Sequence, residues 1–175
     1  SETDEVVERL EKILKDIREH SERAIKKLED ILREIERHSR KVIRDSERIN
    51  TEIKKLAEAG VPEKDLTKLV EDNKKRNDDV LDEDRKLVEE LRERAERILR
   101  TDKRLVDDLK RKADEKLTDK DKLTTLKKKL DDLLDTSRRL VEKVEEDLRR
   151  ILEASKRMLE ETKKRSKEIL DRIRK

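Results

Sequence analysis

Two histidines, two aspartates and four serines stand at spacings that could bring a nucleophile, a base and an orienting carboxylate together. His20-Ser21 recurs eighteen positions on as His38-Ser39, and the same interval separates Asp84 from Asp102 and Ser137 from Ser155. Ser, His and Asp at one level have the composition of a hydrolytic triad, in which histidine takes the serine proton and the carboxylate orients the ring. Buried together, the same groups can instead satisfy one another and specify alignment. Each polar group left unpaired by a slipped helix costs about 1–3 kcal/mol. The second reading is favoured. One glycine in the chain leaves little from which to build a backbone oxyanion hole, and a group copied at a fixed interval along each helix suits a packing layer better than a catalytic centre. Metal binding is disfavoured too. Five helical turns, ~27 Å, separate His20 from His38 on one helix, and a lone His-Asp pair is a weak ligand set. The absence of cysteine removes disulfides, thiol catalysis and Cys-based zinc sites. No enzyme activity, metal or cofactor is expected.

The elements that must position these groups are helices. Of 175 residues, 57% are charged, 30% hydrophobic and none aromatic, with a mean hydropathy of −1.21. That composition alone points to disorder. The order of the residues reverses it. At 100° per residue the apolar positions of residues 2–59, from Val6, Leu10 and Leu14 to Ile49 and Ile53, fall within an arc of about 140°, and those of residues 62–117 within about 120°. Leu123, Leu126, Leu130, Leu148 and Leu159 continue the pattern in residues 119–175. The only glycine and proline fall together in Ala59-Gly60-Val61-Pro62, where glycine suits a left-handed helix terminus and proline the start of the next helix. A weaker boundary is Leu117-Thr118-Asp119-Lys120-Asp121, with Thr118 as cap and Asp121 at the capping-box position. Ser1 and Asp4 repeat that arrangement. Three helices of about 55 residues, each about 80 Å long, joined by short loops, predict an all-α, antiparallel up-down-up three-helix bundle as a single domain over 1–175.

Leu10 to Ile25 reads LEKILKDIREHSERAI and Leu28 to Ile43 reads LEDILREIERHSRKVI, a repeat with a period of eighteen. Leu69-Val70, Leu87-Val88 and Leu105-Val106 open three units at the same offset. Eighteen residues make five turns, so this period keeps a face on one side of a straight helix, and the bundle is expected to be nearly untwisted. If loops join helix ends, residue i of the first helix faces the second near 122 minus i and the third near 114 plus i. His20 and Ser21 then meet Asp102 and Ser137, and His38 and Ser39 meet Asp84 and Ser155. A third polar layer gathers Ser46, Asn50, Asn73, Asn77, Thr162 and Ser166.

Straight helices, idealised caps, a core of Leu, Ile, Val and Ala, and surfaces saturated with Lys, Arg, Glu and Asp resemble a computationally designed helical bundle with buried hydrogen-bond networks. The resemblance covers the whole chain. Spectrin-like and apolipoprotein-like bundles are the natural competitors, but they rarely dispense with every aromatic residue. The resemblance implies a scaffold or interaction module with no native substrate, soluble and cytoplasmic on recombinant expression.

Net charge is +3, and residues 119–175 are the basic part, with 19 basic against 14 acidic groups. Lys127 to Lys129 and Lys163 to Arg165 could touch phosphates, but acids are interleaved and no aromatic can stack on a base, so no nucleic-acid partner is expected. A membrane partner is not expected either, since the apolar stripes are occupied by the core and carry no Trp or Phe anchor. Two arrangements remain: a self-contained monomer that needs no partner, or three-quarters of a four-helix heterodimer that binds a designed complementary helix. His20 and His38 add the idea of a pH response, with its sign open because a neighbouring Asp raises a histidine pKa and burial lowers it.

Overall fold

The computed structural model describes residues 1–175. The chain forms three helices, α1 (Glu2–Glu58), α2 (Glu63–Lys116) and α3 (Lys120–Arg174), of 57, 54 and 55 residues, and no strand. Their apolar faces are the cause. A helix of Lys, Arg, Glu and Asp has little to hold it in water beyond propensity and weak i, i+4 pairs, so one buried stripe supplies most of its stability.

The α1 terminus is a Schellman turn. Gly60 N–H donates to the Ala57 carbonyl and Val61 N–H to the Leu56 carbonyl, both at 3.1 Å, and Gly60 takes the positive φ of 87° that this turn requires. Val61 and Leu56 pack on the same cluster, the apolar contact that accompanies the motif. Pro62 stands just before α2, where its carbonyl accepts from Leu66 N–H at 3.2 Å and its missing N–H is no loss. The α3 start differs from expectation by one residue. Asp119, not Thr118, is the cap, its Oδ1 accepting from Asp121 N–H at 3.0 Å and Lys122 N–H at 3.3 Å. Either residue type can cap, but the carboxylate also favours the positive end of the helix dipole. At α1, Ser1 Oγ accepts from Asp4 N–H at 3.3 Å and donates to the Asp4 carboxylate at 3.0 Å.

By packing, the chain divides into two compact units, each built from a part of all three helices. The first comprises Ser1–Ile31 and Leu91–Asp147, the second Leu32–Glu90 and Leu148–Lys175. The first unit is centred on Leu10, Leu14, Ile17, Val106, Leu109, Ala113, Leu126 and Leu130. Ion pairs fix its register. Asp4 pairs with Lys122, and Glu11 with Lys129 at 2.7 Å, so α1 and α3 run parallel at an offset of 118. Lys110 pairs with Asp131, and Asp114 with Lys127 at 2.6 Å, so α2 and α3 run antiparallel.

The second unit has the same sense. Ile53, Leu66 and Val70 form its terminal cluster, beneath Ile169, Leu170 and Ile173. Ser39 meets Asp84, Ser46 meets Asn77 and Asn50 meets Asn73, pairs whose residue numbers each total 123. Glu47 pairs with Arg165 at 3.1 Å, again an offset of 118. The α1–α2 register lies one residue from the expected 122 minus i. For α3 the ion pairs run at an offset of 118, about a turn from the expected 114 plus i, whereas Asn50 bonds to Thr162 and Ser166 at offsets of 112 and 116, on either side of it.

Candidate functional site

The stripes of α1, α2 and α3 are interrupted by polar residues, and these side chains are deeply buried. In the first unit Ser21, Asp102 and Ser137, one from each helix, are 2–3% exposed. Ser21 Oγ lies 2.7 Å from both Asp102 oxygens and shares its proton between them, while Ser137 Oγ donates to Asp102 Oδ2 at 2.7 Å. No ion pair reaches the carboxylate. Its hydrogen-bond partners are the two hydroxyls, and charge-assisted bonds of this length are the strong kind.

The second unit holds two polar groups. In one, Ser39 Oγ donates to Asp84 Oδ2. Burial pushes the Asp84 carboxyl above the usual carboxylate range. The Ser39 hydrogen bond and the charge of His38 act in the opposite direction, and Glu83 adds to the rise. In the other, six residues are linked. Asn77 Nδ2 donates to Ser46 Oγ at 2.9 Å, and Asn73 Nδ2 donates to the Ser46 carbonyl and to Asn50 Oδ1, both at 3.2 Å. Ser166 Oγ lies 2.7 Å from Asn50 Oδ1 and 3.1 Å from the Thr162 carbonyl, which also accepts from Asn50 Nδ2 at 3.3 Å. Thr162 Oγ1 turns back to the Met158 carbonyl at 2.9 Å. Asn73 Oδ1 and Asn77 Oδ1 are buried without a partner.

Three of the residues expected in these layers stand apart. His20 and His38 are exposed and hydrogen-bond to no member of either layer. Each precedes its serine by one residue, or 100° of helix, which turns the imidazole off the packed face. Ser155 is 3% exposed, yet no hydrogen bond joins it to Asp84. Asp84 therefore has one hydroxyl donor where Asp102 has two.

No family model matches the sequence, and a search of curated proteins found no match. A similar solved structure is described as a computationally designed three helix bundle, with 22% identity and a TM-score of 0.38 over 98% of this chain and 90% of that one.

The chemistry open to these layers is narrow. A serine nucleophile in a triad donates its proton to histidine, but the Ser21 hydroxyl donates to the Asp102 carboxylate instead and His20 hydrogen-bonds to no member of the cluster. No group of three or more His, Cys, Asp or Glu side chains converges to hold an ion. No helix is long and apolar enough to cross a membrane.

Proposed function

We propose that the chain is a designed structural scaffold whose buried polar layers fix the register of its helices. The observation that carries this reading is the Ser21–Asp102–Ser137 cluster, in which each helix contributes one group and every hydroxyl points to the carboxylate. A helix slipped by one turn strands a buried carboxylate, at a cost of several kcal/mol. The idealised caps, the eighteen-residue repeat and the absence of any aromatic residue agree with construction by rule.

The test replaces each layer by apolar side chains, beginning with Ser21→Ala, Asp102→Leu, Ser137→Ala, and follows amide NMR spectra. Loss of the layers is expected to keep helicity and stability while splitting the single set of signals into several. A fully apolar variant that still gives one sharp set sinks the proposal.

The alternative is a component that binds a complementary helix, with a pH response through His20 and His38. Ile13 and Leu69, each 38% exposed, favour it. Ion pairs joining α1 to α3 in each unit weigh against an open seat between those helices. Solution mass by light scattering decides whether the chain stands alone, and mixing with a matching amphipathic helix tests the component reading.

A further inference from the structure

We infer that a cleft between α1 and α2 in the first unit is a binding site for a small amphipathic organic anion, with an aromatic or alkyl body and a carboxylate or sulfonate head. The cleft encloses about 380 Å³, within the range of small-molecule sites. Ala24, Leu28, Ile31 and Ile98 supply its apolar wall, and Lys27, Arg94 and Arg97 stand at its rim.

Both its space and its charge are peculiar to the first copy of the repeat. One repeat further along α1, Val42 and Asp45 occupy the positions of Ala24 and Lys27. One repeat back along α2, Arg76 and Asp79 occupy those of Arg94 and Arg97. The missing methyls of Ala24 open the wall, and at two of the three rim positions, Lys27 and Arg97, a base stands where the other copy has an acid. Lys27, Arg94 and Arg97 take part in no ion pair. The larger cleft of about 740 Å³ between α1 and α3 differs: it mixes both signs and is bridged by Glu11 and Lys129. Three uncommitted cations beside an apolar wall attract an anion with a greasy body, and the guanidinium fork suits a two-oxygen head.

The ligand's direction follows from Asp102, which lines the opposite end. Asp102 lies five and eight residues beyond Arg97 and Arg94 on α2, about 7.5 and 12 Å along the axis. Its carboxylate repels a second anion, so the head sits at the arginine end and the body lies along Ala24 and Ile98. The lined stretch of α1, His20 to Ile31, is only about 16 Å long, which suits a small molecule better than a helix.

Anilinonaphthalene sulfonate is the probe, because a chain without aromatic residues contributes no background emission. Emission is expected to rise saturably to one dye per chain, with methyl NMR shifts at Ile31 and Ile98 and displacement by decanoate. Arg97→Glu, at an exposed site, should weaken binding about tenfold. The uncharged phenylnaphthylamine analogue should bind at least about tenfold more weakly, and Ala24→Leu should fill the wall and remove the site. Equal affinity for the neutral dye, an affinity unchanged in Arg97→Glu, or shifts confined to other methyls would overturn the assignment. Arg97→Glu decides the matter if Ala24→Leu does not fold.

Discussion

Removal of the Ser137 hydroxyl isolates the energetics of the Asp102 layer. Asp102 is 2% exposed and its only partners are Ser21 Oγ and Ser137 Oγ at 2.7 Å. Ser137→Ala takes one hydroxyl from a buried carboxylate, and hydrogen bonds to charged groups contribute about 1.5–3 kcal/mol. For a chain of this length each kcal/mol moves the midpoint by about 2–4 °C, so a fall of about 3–12 °C is expected. Ser21→Ala should cost a similar amount. The double variant should cost at least as much as the sum, because the last donor to leave abandons the charge. The decisive variant is the triple Ser21→Ala, Asp102→Leu, Ser137→Ala. With charge and donors removed together nothing is left unpaired, and stability should equal or exceed that of the parent by up to about 4 kcal/mol. Thermal and urea unfolding followed by far-UV ellipticity measure the series, since no Trp or Tyr offers a fluorescence signal. If the triple variant loses as much as Ser137→Ala alone, the cluster stabilises by packing and the electrostatic reasoning is wrong.

Asp84 should act in the opposite sense to most carboxylates. Its pKa is raised above 3.8, mainly by burial, so the folded state holds the proton more tightly than the unfolded chain. The stabilisation from this proton is full below the unfolded pKa and is lost as pH rises through the folded one. Asp84→Asn, which keeps an acceptor for Ser39, should therefore be more stable than the parent at pH 7, with the gap closing towards pH 4. A gap constant across that range in paired urea titrations would contradict this. In the asparagine layer, Asn50 makes three side-chain bonds and Asn77 one. Asn50→Ala should thus cost about 2–4 kcal/mol and Asn77→Ala under about 1.5 kcal/mol by the same unfolding assay. At the first loop, Gly60→Ala meets no atom within 4 Å but must hold a φ of 87°. A loss of about 1–2 kcal/mol is expected, and Gly60→Asn should recover part of it.

Much of the fold is legible in the sequence because it rests on one periodic signal. A stripe repeated with the helical period fixes helix type, and a chain with one glycine leaves one place for a left-handed turn, which is where Gly60 lies. The second boundary is blurred because Thr118 and Asp119 are both capping residues, and only coordinates show which one reaches the free N–H groups. Inter-helix register is readable to about a turn, since assumed loop lengths propagate along the whole partner helix. The polar residues that become buried each interrupt an apolar arc, as Asp102 does between Leu99 and Leu105. Histidine placement is not resolved at that level, because His20 and Ser21 straddle the arc's edge. Nor does an identical residue type guarantee an identical bond: Ser137 reaches a carboxylate and Ser155 does not. The cationic cleft is hidden at the level of sequence because it depends on departures from the repeat, Ala24 for Val42 above all, which a search for similarity averages away.

The asparagine group holds a separate consequence. Ser21 and Ser39, like Asp84 and Asp102, stand one repeat apart in the sequence, so a serine–aspartate rung taken alone does not say which serine belongs to which aspartate. The Asn50–Asn73 rung is spelled differently and has no copy to mistake for itself. The serine–aspartate rungs make alignment sharp, whereas the amide rung makes it unique, as a single notch on a toothed rule marks its zero.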